Sequence, residues 1–306
     1  MEMNSSALAR ACRPGQWIKN LLVFAAPLFA FTIDTDIWLA ASMSLVAFCL
    51  ISSSVYLLND SIDIQADRQH PRKQYRPIAM GQVSVGLALS TSALLAVMSL
   101  TLAAALSRQL AGVILAYVLI QTGYCLRLKQ EPLLDLFCIA TGFLLRAIAG
   151  GIAAKIDLSP WFLLTVSLLA LFLAVEKRKS ELHNTFRRGL STRTVLSRYS
   201  LPLLLRLESL LSTSTFTSYC LWASGPILNG ASTSWMLLTV PFVLAGIFRY
   251  KLISDPEEAH RRGSLIPEQT CEQPEKVLLG DKGMKLILLG WLLTTATILA
   301  VSQASE

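Results

Sequence analysis

Long apolar runs separated by short polar segments dominate the chain. Runs at about 17 to 33, 37 to 58, 83 to 106, 110 to 125, 133 to 153, 161 to 175, 201 to 223, 235 to 253 and 284 to 302 predict nine helical spans, because a helix needs ~20 apolar residues to cross a bilayer. The first, fourth and sixth fall short of that length and predict re-entrant or tilted packing. The expected fold class is all-α, a polytopic integral membrane bundle of nine helices around a central cavity. The longest polar stretch, about 254 to 283, contains Pro256, Gly263, Pro267 and Pro274 and reads as an irregular inward loop. With no polar stretch large enough to fold alone, residues 1–306 are expected to form one domain.

Composition agrees with that pattern. Hydrophobic residues make up 53% and charged residues 15%, with a mean hydropathy of +0.53, outside the range of ordinary soluble domains. The net charge of +7 follows from orientation. If the N-terminus is cytoplasmic, all of the 27 Lys and Arg except Arg108, Arg146, Lys155 and Arg206 belong to inward segments, which satisfies the positive-inside rule in the cell membrane. The basic excess therefore does not imply nucleic acid, for which no recognition motif appears. Lys19 and Pro27 interrupt the first run, and cleavage there would invert every later loop, so it is not read as a removable leader. The six cysteines form no C-x-x-C pair, which indicates neither a zinc site nor a disulfide framework.

The most unusual stretch is 59–81. It sets Asp60, Asp63 and Asp67, then Arg68, Arg72, Lys73 and Arg76, between two long apolar runs. On a helix Asn59, Asp63 and Asp67 follow one another at i, i+4 and i+8, with Asp60 near the same face. Bare carboxylates so placed repel one another, and a hard divalent cation removes the repulsion. Mg2+ favours few protein carboxylates together with phosphate oxygens, so its expected form here, with Mn2+ able to substitute, is a metal-diphosphate held by Asp60, Asp63 and Asp67. The basic residues that follow then hold the rest of a polyanion. The competing reading is a solvated helix end, with the carboxylates paired to Arg68, Arg72 and Lys73.

The pattern N-D-x-x-D-x-x-x-D at Asn59, Asp60, Asp63 and Asp67 resembles the first aspartate-rich motif of the UbiA superfamily of intramembrane prenyltransferases. More narrowly, three blocks resemble its decaprenyl-phosphate phosphoribosyltransferase branch: Arg13-Pro14-x-Gln16-Trp17-x-Lys19-Asn20, His70-Pro71-x-Lys73-x-x-Arg76-Pro77-Ile78-Ala79, and Gly142-Phe143-x-Leu145-Arg146-x-Ile148-x-Gly150-Gly151. With Lys177-Arg178-x-x-Glu181-Leu182 they spread over residues 13 to 182. The C-terminal third matches loosely, through Phe248-Arg249-Tyr250 and Leu278-Leu279-Gly280-Asp281. The resemblance implies nine transmembrane helices and Mg-dependent transfer of 5-phosphoribose from phosphoribosyl pyrophosphate to a polyprenyl phosphate. It implies catalytic and metal-holding roles for Asp60, Asp63 and Asp67. Substrate contacts are implied for Lys19, Asn59, Lys73, Arg76, Tyr124, Lys129, Arg146, Lys177, Arg178 and Glu181, at the cytoplasmic face.

Prenyltransferases of the superfamily usually carry a second aspartate-rich motif in a later loop. Here that loop reads Glu176-Lys177-Arg178-Lys179-Ser180-Glu181, with cations in place of carboxylates. A donor with a diphosphate at one end and a phosphate at the other needs one metal-binding lobe and one basic lobe, which suits phosphoribosyl pyrophosphate. An aromatic prenyltransferase using a prenyl diphosphate is the enzymatic alternative, and a membrane transporter or scaffold is the other. Asp135 and Arg146, about 16 Å apart along one helix, are too distant to pair with each other. Arg146 either pairs with another helix or receives the lipid phosphate. Arg206 and Glu208 read as interface residues, and His183 and His260 have no evident partner. Oligomeric state leaves no mark in the sequence.

Overall fold

The computed structural model describes residues 5–30, 34–188, 194–255, 277 and 280–304. His260, Cys271 and most of the polar stretch between 254 and 283 lie outside them. No strand occurs among the described residues, as the all-α expectation requires. The helices are α1 (Ser5–Ala11), α2 (Ala25–Phe29), α3 (Thr35–Ile62), α4 (Ile64–Gln69), α5 (Val85–Leu106), α6 (Arg108–Leu126), α7 (Leu134–Ala154), α8 (Pro160–Arg188), α9 (Leu201–Ala223), α10 (Val240–Ser254) and α11 (Lys282–Ala304).

Among the described residues, 7 helices are long and apolar enough to cross a membrane, against the nine expected. The first apolar run forms a 3-10 helix, Pro14–Phe24, followed by the short α2. An apolar run alone does not distinguish these conformations from one long α-helix. The seventh run does form a helix, α9, of 23 residues. Arg206, Glu208 and the Ser/Thr-rich stretch at 212–218 dilute its apolar character.

The chain divides into two compact units. The first comprises Met1–Leu28, Thr32–Cys138 and Leu145–Asp157. In it α3 packs against α5, α6 and the 3-10 helix. Beside the apolar contacts, serines bond across the seam between α3 and α5. The Ser54 and Ser92 hydroxyls each donate to the other residue's carbonyl oxygen at 2.8 Å, and Ser99 donates to the Ala47 carbonyl at 2.8 Å. Lipid offers no hydrophobic drive for helix association, so small residues and hydrogen bonds between helices hold such pairs. On another part of α3, Ser53 receives Trp17 Nε1 at 3.0 Å and Ser52 receives Asn20 Nδ2 at 3.2 Å, which fastens the 3-10 helix. Gly150 of α7 meets the same segment from below. A Cβ at Gly150 would lie 2.0 Å from the Val23 carbonyl oxygen.

The second unit comprises Phe29–Phe31, Ile139–Leu144 and Leu158–Glu306. Its α8 and α9 pair along their length, with Thr165 and Ser218 hydroxyls 3.0 Å apart. Phe29, Phe162, Trp222 and Trp291 form an edge-to-face aromatic group, and Trp291 Nε1 donates to the Tyr219 hydroxyl at 2.8 Å. Asp281 caps α11 by accepting from the Met284 backbone N–H at 2.7 Å. It also accepts from both Arg249 Nε and Nη2, at 3.0 and 2.9 Å. The hydrogen bond from Arg249 holds the Asp281 carboxyl below the usual carboxylate range, against the opposing effect of burial.

Two consequences are measurable. Gly150→Ala forces a methyl group into backbone that has no rotamer to yield, so it should destabilise the purified protein by about 1–3 kcal/mol, as overpacking does. Gly86→Ala, on α5 with open space around it, should be neutral or stabilising in the same thermal unfolding in detergent. Asp281→Ala removes a helix cap and should cost about 1 kcal/mol. Because the folded pKa of Asp281 is lowered, its contribution is present above about pH 4 and fades as pH falls through the folded value. The difference in unfolding temperature between wild type and Asp281→Ala should therefore shrink in acid.

Candidate active site

Asp60 lies near the C-terminal end of α3, and α3 ends at Ile62 with Asp63 as its capping residue. The straight-helix extrapolation over Asn59, Asp63 and Asp67 therefore breaks at Asp63, where α4 begins. Backbone bonds from Asp63 N to Asn59 O at 2.9 Å and from Asp67 N to Asp63 O at 2.8 Å carry the chain across the break. Asp60 and Asp67 end up on opposite sides of one cation. Arg76 Nη1 donates to Asp60 Oδ1 at 3.1 Å and to Asp67 Oδ2 at 2.6 Å. Asp63 pairs elsewhere, with Lys129 Nζ at 2.5 Å.

Asp60 has a second clamp that the motif did not identify. Arg13 Nη2 lies 2.5 and 2.6 Å from its two oxygens, and the guanidinium sits 4.9 Å from the centre of the Tyr56 ring. The Arg13 backbone is left-handed, with φ 54° and ψ 59°, immediately before Pro14. For a residue other than glycine this conformation costs about 1–3 kcal/mol and persists where surrounding contacts enforce it. The sequence signal was its place at the head of the Arg13-Pro14-x-Gln16-Trp17 block. Its partner is 47 residues away, beyond any local pattern.

Asp60 and Asp67 are 2% and 3% exposed. Burial pushes the Asp67 carboxyl above its ordinary value, the Arg76 charge and hydrogen bond pull it back, and the Asp60 charge pushes it up again. Beside this pair lies a cavity of about 490 Å³ lined by Arg10, Arg13, Asp60, Arg72, Tyr75, Arg76 and Gln82, among others. Four arginines and one carboxylate line it, and guanidinium groups are the side chains best shaped for bidentate contacts to phosphate.

The other expected residues fall as follows. Asn59 Nδ2 approaches Asp60 Oδ1 at 3.4 Å, Lys73 contributes its charge to Asp67, and Lys19 Nζ bonds Gln16 Oε1 at 2.6 Å. Tyr124 is half-buried against the apolar core of the first unit. Arg146 is buried and bonds Asn20 Oδ1 at 2.7 Å and the Tyr117 hydroxyl at 3.0 Å, the pairing with other helices that was one of its two readings.

Lys177, Arg178 and Glu181 belong to α8 in the second unit. Arg178 is fully buried and paired with Glu181, and Lys177 is half-buried. Between them Lys179 bridges Glu176 at 2.9 Å and Glu208 at 2.6 Å, and Lys251 reaches Glu208 at 3.1 Å. Glu208, read from sequence as an interface residue, is a buried member of this ion cluster. Carboxylate and ammonium partners on three different helices carry no sequence signature.

Among the described residues no group of three His, Cys, Asp or Glu side chains is placed to hold a metal ion. Two carboxylates converging on one cationic nitrogen are a different arrangement, and one that suits Mg2+. The ion takes one or two protein carboxylates and completes its shell with water and phosphate oxygens. Asp60 and Asp67 fit that donor set, and Asp63 is paired with Lys129 instead.

Comparison with known proteins gives the fold and family. The UbiA prenyltransferase family profile matches residues 21–265. A decaprenyl-phosphate phosphoribosyltransferase of Mycolicibacterium smegmatis is 40% identical over 300 residues, covering 94% of this chain and 90% of the relative. One from Corynebacterium glutamicum is 37% identical over 298 residues, covering 94% and 85%. Among solved structures, a UbiA homologue from Archaeoglobus fulgidus bound to GPP and Mg2+ superposes with a TM-score of 0.70 at 20% identity, covering 96% of this chain and 99% of that one. The same homologue bound to Cd2+ gives 0.66 at 19% identity, covering 95% and 99%. The family match over most of the chain, the all-helical membrane fold and the paired aspartates agree: this chain belongs to the UbiA prenyltransferase family.

Proposed function

We propose that this chain transfers 5-phosphoribose from phosphoribosyl pyrophosphate to a polyprenyl phosphate of decaprenyl type, giving polyprenyl-phosphoryl-5-phosphoribose and pyrophosphate. The observation that carries the reading is the near full-length similarity to relatives of that name, 37% to 40% identical. The cavity supports it independently. A donor with both a diphosphate and a separate phosphate needs more cationic contacts than a prenyl diphosphate, and Arg10, Arg13, Arg72 and Arg76 line one space. In this reading Asp60, Asp63 and Asp67 hold the metal, Mg2+ by preference. Asn59, Lys73 and Arg76 contact the donor's phosphates, with Lys19, Tyr124, Lys129 and Arg146 in support. Lys177, Arg178 and Glu181 keep the substrate-binding roles that the sequence pattern assigns them.

The bond between ribose C1 and the diphosphate oxygen breaks, with its electron pair leaving on pyrophosphate. An oxygen of the lipid phosphate forms the new bond to C1. The bound divalent ion supplies charge neutralisation to the leaving group, and the arginines add fixed positive charge where negative charge develops. The acceptor is already ionised at neutral pH, so no general base is needed. We place the site on the cytoplasmic face of the cell membrane, on the distribution of Lys and Arg, and regard residues 1–306 as one transferase domain.

Purified protein with labelled phosphoribosyl pyrophosphate and decaprenyl phosphate should form lipid-linked phosphoribose. EDTA should abolish the product and Mg2+ restore it. Asp67→Asn should lower the rate by ~100-fold or more, since it removes a carboxylate proposed to hold the ion itself, where loss of an outer partner alone costs ~10- to ~100-fold. Consumption of a prenyl diphosphate in the presence of 4-hydroxybenzoate, with no phosphoribosyl lipid, would replace this reading by the aromatic prenyltransferase. Orientation has its own check. In a variant whose native cysteines are replaced, Gln74→Cys should react with a membrane-impermeant maleimide only from the cytoplasmic side, and saturating Mg-phosphoribosyl pyrophosphate should slow the reaction. Labelling from outside would reverse the topology.

A further inference from the structure

Asp60 and Asp67 are neutralised by the chain itself. One nitrogen of Arg76 stands between them at 3.1 and 2.6 Å, in the place where two converging carboxylates would otherwise receive a metal ion. Arg13 holds both oxygens of Asp60 as well. Neither guanidinium is enclosed: their side chains are 25% and 23% exposed, while the carboxylates they hold are almost fully buried. Both line the cavity that also contains Arg10 and Arg72.

We propose that Arg76 is a stand-in cation that makes the aspartate pair selective for a metal-diphosphate over the free metal ion. The inference rests on the functional reading above and adds a specificity role for one side chain. A bare divalent ion entering between Asp60 and Asp67 would drive the Arg76 charge off its two carboxylates and into a cavity already lined by Arg10, Arg13 and Arg72. Those like charges oppose the move. A metal carried by a diphosphate brings its own anionic oxygens into the same cavity. Arg76 then exchanges carboxylate partners for phosphate partners, which guanidinium binds equally well. Metal and diphosphate therefore bind with positive coupling, and Arg76 is the element through which they are coupled. Arg13 assists by holding both oxygens of Asp60 in place before the ligand arrives.

The test reads Mn2+ binding by electron paramagnetic resonance on the purified full chain, with no turnover involved. Wild type should bind Mn2+ weakly alone and ~5- to ~150-fold more tightly with inorganic pyrophosphate, the usual range for coupled ligands. Arg76→Gln should bind Mn2+ alone at least ~10-fold more tightly than wild type and lose most of the pyrophosphate-dependent gain, since that gain is the coupling Arg76 carries. Arg10→Gln removes a charge from the same cavity wall, but its guanidinium bonds Gln82 at 3.0 Å and no aspartate of the pair. As one of the like charges that oppose the move, Arg10 should contribute in the same direction but less: its variant should lower the gain by only ~2-fold, against the ~10-fold or larger change in Arg76→Gln. Arg76→Lys, which keeps a cation on a differently shaped side chain, covers the case in which Arg76→Gln does not fold, and should show partial loss of the gain. Equal Mn2+ affinity in wild type with and without pyrophosphate would overturn the proposal. So would equal shifts in Arg10→Gln and Arg76→Gln, which would reduce the effect to net charge. Pyrophosphate is common to phosphoribosyl and prenyl donors, so the exchange can hold while the donor assignment fails, and the turnover assay above registers that failure separately.

Discussion

The compensation of two carboxylates withdrawn from water governs the first unit. An unpaired buried carboxylate shifts its protonation or destabilises the fold by several kcal/mol, so Asp60 and Asp67 require partners before any ligand is present. Arg76 is close in sequence and reaches both. Arg13 is remote, and bringing it over Asp60 takes a left-handed residue, a proline and a long 3-10 segment. That segment is held by hydrogen bonds from Trp17 and Asn20 to Ser53 and Ser52. The serine cluster of α3 is thus both a packing seam and the anchor of the segment that carries one of the site's cations.

The second unit handles buried charge differently. Glu176, Lys179, Glu208 and Lys251 form a chain of ion pairs drawn from α8, α9 and α10, and Arg178 with Glu181 forms a pair along α8. The Lys179 side chain is 6% exposed, against 25% for Arg13. Removing the enclosed Lys179 would leave buried carboxylates uncompensated, whereas Arg13 and Arg76 of the first unit line a cavity. The contrast is one of exposure: the arginines of the first unit reach a cavity, and the ammonium of Lys179 is enclosed.

Much of this was legible in the sequence. Apolar runs long enough to span a membrane, the acidic motif after the second of them and the basic residues that follow it are local features, and the helices and the Arg76 pairing reflect them. Three things were not local. The break at Asp63 is invisible to periodicity, which extends a helix as straight until a proline or glycine stops it. The 3-10 conformation of Pro14–Phe24 has the same apolar content as an α-helix and is chosen by tertiary hydrogen bonds. The partnership of Arg13 with Asp60, like that of Glu208 with Lys179, joins residues on different elements and leaves no spacing to detect. The aspartates stand out in the sequence as a group, while which of them converge, and on what, depends on the fold.

Arg146 shows how a charge inside a span serves that arrangement. Its guanidinium bonds Asn20 on the 3-10 helix and Tyr117 on α6, and lies 5.5 Å from the Phe48 ring centre and 5.0 Å from that of Tyr117. Asn20 in turn donates to Ser52 and approaches Cys49 Sγ at 3.3 Å. A single buried cation thereby ties α7, α6 and α3 to the segment that ends in Arg13. Close approach of Gly150 to the Val23 carbonyl brings α7 near enough for that tie. Charges in apolar spans are expensive and persist where they are well partnered. Here the partners include Asn20, in the middle of the 3-10 helix that follows Arg13, so Arg146 and Arg13 both act on that single segment.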